Sequence, residues 1–334
     1  MDDPKAFIFV CGSSRSGTTM MSRILGNHSS IFAFQELHFF DELASAENAS
    51  KPNSKEKSIE LLSLLKSIQR EGYFGPREWK LYAEESDSEL NGEALSSMSL
   101  LLRFLSSESK LNGKSIPCEQ TPQTVFALDA LLQHIPKARV VLMVRDPREV
   151  LLSQKGKWKR RKLSGGNIPF WESVRSRINY HPETISRIWK STYNEALQHI
   201  HDKRVLSIRY EDLTEQPEQV VNRICNHIGI EFEPSMLDVP RVGSSNAADQ
   251  SLERGIDKGR RGKWRSGLNR SEIAICERAN RDLMLHFGYE LSGEKGHFIS
   301  LALYRFLLPF QMGLALMMNL KRLRNIRKAI RRFF

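Results

Sequence analysis

Short unbroken apolar runs alternate with segments of helical period along most of this chain. The run AFIFVC (6–11) is apolar throughout, which marks a strand buried on both faces of a parallel sheet. A Gly/Ser/Arg loop follows it, then TTMMSRILGN, whose helical spacing stops at Gly26-Asn27. SIFAF (30–34) reads as a second strand, and the polar, Pro/Ser-rich stretch 46–58 as a loop. Between 58 and 110 the period is helical, in IELLSLLKSIQR and ALSSMSLLLRFL, with a Gly/Pro/Trp interruption at 72–79. This predicts a helical insert over 45–112 that shapes a substrate site. Further on come a helix near 123–134, the core strand ARVVLMV (138–144), and a helix opening after Pro147. A helix over 183–201, a strand over 204–210 and a helix over 217–229 continue the alternation. Strand–helix alternation of this kind predicts an α/β fold of three layers around a central parallel sheet with crossover helices. No repeat period is visible.

Composition narrows the picture without deciding it. With 334 residues, 40% hydrophobic and 27% charged, the chain has ordinary globular chemistry and enough length for a substantial core. We divide it into a main domain over 1–293 and a tail over 294–334. The four cysteines (Cys11, Cys118, Cys225, Cys276) are far apart and form no CxxC pair, which argues against a disulfide framework or a structural zinc. The N-terminus has no basic region ahead of a long apolar one, so the expected location is cytoplasmic. The net charge of +11 is concentrated: KGKWKRRK (155–162) holds six positive charges and KRLRNIRKAIRRFF (321–334) seven, leaving −2 for the rest. These are two basic patches on a nearly neutral body, so a general affinity for nucleic acid is not expected.

The first chemistry lies between the first strand and its helix. Gly12-Ser13-Ser14-Arg15-Ser16-Gly17-Thr18-Thr19 has the spacing of a phosphate loop, GxxxxGK[ST], in the strand–loop–helix context that such a loop requires. It turns backbone N–H groups and the positive end of the helix dipole toward an anion. A Gly/Ser turn without ligand is the plainer alternative. Thr18 stands where nucleotide triphosphatases carry the lysine that reaches the β- and γ-phosphates, and the nearby cation is Arg15. That suits a ligand with no γ-phosphate and little need of Mg²⁺.

Here the chain resembles the sulfotransferases that use 3′-phosphoadenosine 5′-phosphosulfate (PAPS), whose 5′-phosphosulfate loop commonly reads [KR]SGTT. The resemblance implies that Ser14, Arg15, Ser16, Gly17, Thr18 and Thr19 hold the 5′-phosphate and the bridging oxygen. VVLMVRDPREVLLS (140–153) looks like the family's 3′-phosphate motif, with Arg145 ending a core strand and Ser153 eight residues on. Such strand ends are where open α/β sheets bind ligands, and an arginine there can grip a phosphate bidentately. A structural Arg145–Asp146 ion pair is the alternative. Lys258-Gly259-Arg260-Arg261-Gly262-Lys263-Trp264-Arg265 is similar to the family's RKGxxGxWK segment, with Asp257 replacing its first arginine. It implies that Lys258, Arg261 and Gly262 close over the nucleotide; a solvated basic loop is the alternative. The resemblance covers about 6–40 and 115–290.

Sulfuryl transfer needs a base for the acceptor hydroxyl and donors for the departing phosphate. Gln35-Glu36-Leu37-His38-Phe39-Phe40-Asp41 resembles the KExHFFD segment of heparan-type carbohydrate sulfotransferases. By that match Glu36 is the base, and His38 and Asp41 orient or tune it. Gln35 and Gln120 stand where that family has lysines, which points away from a polyanionic glycosaminoglycan acceptor.

The tail adds an apolar, hairpin-like segment, FISLALYRFLLPFQMGLALMMNL (298–320), long enough to span a bilayer. In the basic stretch after it, Leu320, Leu323, Ile326, Ile330 and Phe334 share one helical arc, and Lys321, Arg324, Lys328 and Arg331 the other. The pair reads as an in-plane binder of an anionic membrane surface over 298–334. A buried helix pair or an oligomer contact is the alternative.

The expectation is therefore a metal-independent sulfotransferase with PAPS as co-substrate, Glu36 as base and Arg15 on the leaving phosphate. Its acceptor is a hydroxyl, carbohydrate or lipid-linked. An atypical phosphate-loop kinase, or a basic module binding membrane or nucleic acid, are the alternatives.

Overall fold

The computed structural model describes residues 4–72, 75, 78–159, 162–163, 166–167, 169–240, 254–257 and 262–319. Lys258 and Arg261, and the amphipathic pattern of 320–334, lie outside the described residues.

The chain opens with β1 (Phe7–Gly12), α1 (Thr18–Gly26) and the short β2 (Ile31–Ala33). The helical insert follows as α2 (Lys55–Glu71), α3 (Ala83–Leu90) and α4 (Ser97–Leu111). Ser54 and Ser96 cap α2 and α4 by accepting from the backbone N–H groups of Lys57 and Ser99. Next come β3 (Ile116–Gln120), α5 (Leu128–His134), β4 (Ala138–Val144) and α6 (Pro147–Lys155). Part of the helix expected near 123–134 is a 3₁₀ turn, Pro122–Ala127, which leads into α5. Two-residue strands β5 (Lys162–Leu163) and β6 (Gly166–Asn167) pair antiparallel. The remainder is α7 (Phe170–Ile178), α8 (Pro182–Leu197), β7 (Val205–Arg209), α9 (Tyr210–Glu215) and α10 (Pro217–Ile228). The short α11 (Trp264–Gly267), α12 (Arg270–His286) and α13 (Phe298–Asn319) complete it.

The central sheet is parallel throughout, in the order β2-β3-β1-β4-β7. The apolar run of β1 is explained by burial on both sides. Phe7, Phe9 and Cys11 face a layer containing residues of α4, α5 and α8, while Ile8 and Val10 face α1 and α10. This is the period of two expected of a strand whose two faces are both covered. From β1 the chain first winds toward β2 and β3 and then crosses to β4 and β7, so the order reverses at β1. The C-terminal edge at such a switch point is where open α/β sheets form their crevice.

The described part of the apolar segment, Phe298–Asn319, is not hairpin-like. It is one continuous helix, with Pro309 inside it. A proline removes one N–H and crowds the carbonyl four residues before it. The Leu, Met and Ala residues on either side are strong helix formers, and they carry the helix through that single interruption.

Candidate functional site

The loop after β1 is shaped by close approach. Gly12 has φ +139°, and a Cβ there would collide with the Met143 carbonyl of β4. Gly17 has φ +95°, and its Cβ would lie 2.5 Å from the Tyr210 ring. Arg15 itself sits in the left-handed region at φ 75°. The fully buried Tyr193 of α8 braces the loop from below. Its hydroxyl donates its proton to the Met143 carbonyl at 2.7 Å. It therefore accepts from the Ser13 N–H at 3.3 Å and the Ser16 hydroxyl at 3.2 Å. The N-cap of α1 is Gly17, which has no side chain to cap the helix, so its first-turn N–H groups and dipole suit an anion.

The second cationic group joins this loop directly. Arg15 Nε donates to Ser153 Oγ at 3.0 Å, and Arg145 donates from a terminal nitrogen to the Arg15 carbonyl at 3.0 Å. Arg145 also stacks over the Tyr210 ring, 4.3 Å from its centre. Its Nε is buried with no hydrogen-bond partner among the described residues, and its nearest carboxylate, Glu149, is 3.7 Å away. The alternative Arg145–Asp146 pair is not formed. Asp146 pairs with Arg148 at 2.7 Å, and Arg148 bonds Glu277 at 2.6 Å while lying 4.0 Å from the centre of the Trp264 ring. Among the described residues Arg145 thus keeps donor capacity to spare at this edge. Gly262 has φ +78°, and the Trp264 N–H two residues on reaches Glu149 at 3.4 Å.

Glu36, just past β2, arrives at the same edge. Its carboxylate accepts from His38 Nε2 at 3.2 Å and from Gln120 Nε2 at 3.2 Å. Gln120, ending β3, also reaches the Thr18 hydroxyl at 3.3 Å, so one amide spans the phosphate loop and Glu36. The other His38 nitrogen lies 3.5 Å from Asp41, and His38 is held at φ 50° with its N–H on Thr121 Oγ1. Burial works against charge on His38, but the hydrogen bonds to Asp41 and Glu36 outweigh it and raise its pKa to about 10. Burial likewise opposes ionisation of Glu36, yet His38 and Gln120 prevail and hold its pKa below the usual carboxylate value. At neutral pH the pair is carboxylate and imidazolium.

The structure brings together Ser14 to Thr19, Glu36, His38, Asp41, Arg145 and Ser153 around one sheet edge. It adds three residues that sequence reasoning did not single out for the site. Tyr193 gives no local signal, since it is one aromatic on the core face of a helix. Lys157 counted only as part of a basic patch. Its pKa is lowered to about 8 by desolvation first and then by Arg15 and Arg175, with Glu36 pulling it back, so its charge acts on Arg15 and Glu36 together. Glu119 is buried behind Thr121, which donates to it, and Thr124 reaches its other oxygen at 3.4 Å.

Burial raises the pKa of Glu119 to about 7, against the opposing pull of Thr121 and His38. The folded state therefore holds this proton more tightly than the unfolded chain does. The stability it contributes is complete below about pH 4 and is lost as pH rises through 7. We expect Glu119 to make unfolding free energy in urea fall by roughly 3 kcal/mol between about pH 4 and pH 7, and the slope over that range to be smaller by about that amount in Glu119→Gln. A variant with the same slope would place the titration elsewhere.

The model of the sulfotransferase family matches residues 7–234, from β1 to beyond α10. The chain belongs to this family. The match takes in the loop, Glu36, Arg145 and Ser153, and ends before Gly262. Among sulfotransferase relatives, protein-tyrosine sulfotransferase A of Caenorhabditis elegans is 21% identical over 254 residues, 75% of this chain and 57% of that protein. An uncharacterized protein of Aquifex aeolicus is 23% identical over 266 residues, 77% of this chain and 30% of that one. The chain thus spans less than two thirds of the length of either. The sulfotransferase domain of the Synechococcus PCC 7002 olefin synthase shares the fold, with a TM-score of 0.55 and 19% identity over 87% of this chain and 97% of that domain.

Proposed function

We propose that the chain transfers a sulfuryl group from PAPS to an acceptor hydroxyl, on a carbohydrate or glycolipid-like molecule. The observation that carries this reading is the convergence at one sheet edge of two anion grips and an ionised carboxylate. The residues present fit the donor: the first turn of α1, N-capped by Gly17, with Arg15 suits its 5′-phosphosulfate, and Arg145 with its buried Nε, linked through Arg15 to Ser153, suits its 3′-phosphate. In the reaction the acceptor oxygen forms a bond to sulfur as the bond from sulfur to the 5′-phosphate oxygen breaks. Glu36 takes the hydroxyl proton, Arg15 and the loop N–H groups take up the charge left on the phosphate, and 3′,5′-adenosine bisphosphate is released. His38 keeps Glu36 oriented and charged. Lys157 supplies a cation near a centre where Gln35 and Gln120 supply none.

The acceptor reading rests on the likeness of 35–41 to carbohydrate sulfotransferases and on those two neutral glutamines, which favour an acceptor less negative than a glycosaminoglycan. Calorimetric titration tests the donor. Tight binding of 3′,5′-adenosine bisphosphate, unchanged when Mg²⁺ is replaced by a chelator, is the expected result. Preference for Mg-ATP would overturn the reading in favour of a kinase.

A further inference from the structure

The charge and shape of α13 are not used by the site. Its exposure follows a strict helical arc. Counting 100° per residue from Tyr304, the half-shielded residues, among them Leu301, Leu308, Gln311 and Asn319, fall between about 320° and 80°. The fully exposed residues fall on the remaining arc, which carries Phe298, Ile299, Leu303, Phe306, Phe310 and Met317 at 55–83% exposure. The helix has one charged residue, Arg305, at the border of the two arcs. An exposed apolar face of this length is far beyond the scattered hydrophobics of an ordinary surface.

The shielded arc is fastened to the body by polar groups. His181 Nε2 lies 3.1 Å from the Tyr304 carbonyl, and Asn269 donates to the Tyr304 hydroxyl at 3.3 Å. Gln311 donates to the Ile178 carbonyl at 2.8 Å, and Arg175 to Asn319 Oδ1 at 2.8 Å. From Tyr304 to Asn319 these attachments extend over about 22 Å of helix. A helix held to the flank of the domain along that length does not leave it to cross a bilayer. Neighbouring α7 adds exposed Phe170 and Trp171, their rings 6.0 Å apart.

We infer that α13 lies in the plane of an anionic lipid bilayer, its outer arc immersed and its polar stripe holding the catalytic domain against the surface. Charge favours an anionic surface: the chain immediately beyond α13 carries seven Lys/Arg and no acidic residue over 321–334, and Arg305 stands at the border of the apolar arc, where a cation reaches up to headgroups. Arg175 links this face to the site, bonding Asn319 and acting electrostatically on Lys157, which in turn acts on Glu36. On the sulfuryl-transfer reading, the acceptor is then a hydroxyl presented at a membrane surface.

The test is sedimentation of the full chain with phosphatidylcholine vesicles, with and without phosphatidylserine. The expected result is binding to the phosphatidylserine vesicles, weakened by salt, and at least about tenfold weaker for Phe306→Asp/Phe310→Asp. Arg327→Glu/Lys328→Glu is a second variant, expected to lose the preference for phosphatidylserine. No vesicle binding by the full chain, or equal binding by both variants, would overturn the inference. So would a dimer that the Phe306/Phe310 substitutions disperse while vesicles bind neither form, which would give the face to a second copy. Each sample is also titrated with 3′,5′-adenosine bisphosphate. Retained binding shows an intact body, and a chain that binds vesicles but not the bisphosphate loses the donor reading and keeps this one.

Discussion

Glu36→Gln is expected to lower kcat by a factor of about 10²–10⁴, the usual worth of a positioned general base. The substitution keeps the side chain's length and an oxygen for His38 to donate to, and it removes only the charge that accepts a proton. Glu36 contacts His38 and Gln120, with no direct contact to Arg145 or Ser153, so affinity for 3′,5′-adenosine bisphosphate should be nearly unchanged. The pH profile gives an independent reading. The active form is the ionised one, and His38 and Gln120 hold the Glu36 pKa below its ordinary value. Activity should therefore persist into mildly acid solution and fall only as pH drops through that lowered value. At the alkaline end His38 keeps its proton until about pH 10, so its orienting charge is lost only there. A Gln variant with wild-type turnover would make Glu36 a structural partner of His38.

The parts of this site that were legible in the sequence are those encoded locally. The apolar run of β1, the Gly12–Thr19 spacing and the strand ending in Arg145 each declare themselves within a dozen residues. Their common destination follows from parallel-sheet topology, because every loop after a strand emerges at one edge. The supports of the site are tertiary. Tyr193 braces the loop from a helix 180 positions away in sequence from Ser13, and nothing in the helical pattern distinguishes it from core packing. Gln120 read as an absent lysine, whereas in place it is the amide that ties Thr18 to Glu36. Lys157 read as one charge among six. In the tail the apolar segment read as hairpin-like, whereas Phe298–Asn319 is one helix whose strong helix formers carry it past Pro309.

Arg145→Ala should weaken binding of 3′,5′-adenosine bisphosphate by about 10²–10³, the loss of one or two charge-assisted hydrogen bonds to a phosphate. The size alone does not identify the cause, since Arg145 also donates to the Arg15 carbonyl and so helps shape the loop. Adenosine 5′-phosphate separates the two roles, because it lacks the 3′-phosphate and keeps the rest. If Arg145 grips the 3′-phosphate, the variant loses affinity for the bisphosphate and hardly any for the monophosphate. If it only braces the loop, both ligands lose by the same factor, and the 3′-phosphate assignment fails. Arg145→Lys sharpens the comparison. A lysine restores the charge but neither the planar fork nor the stacking over Tyr210, so it should recover only part of the bisphosphate affinity. Full recovery would mean that Arg145 acts as a point charge, and that its buried Nε plays no part in holding the ligand.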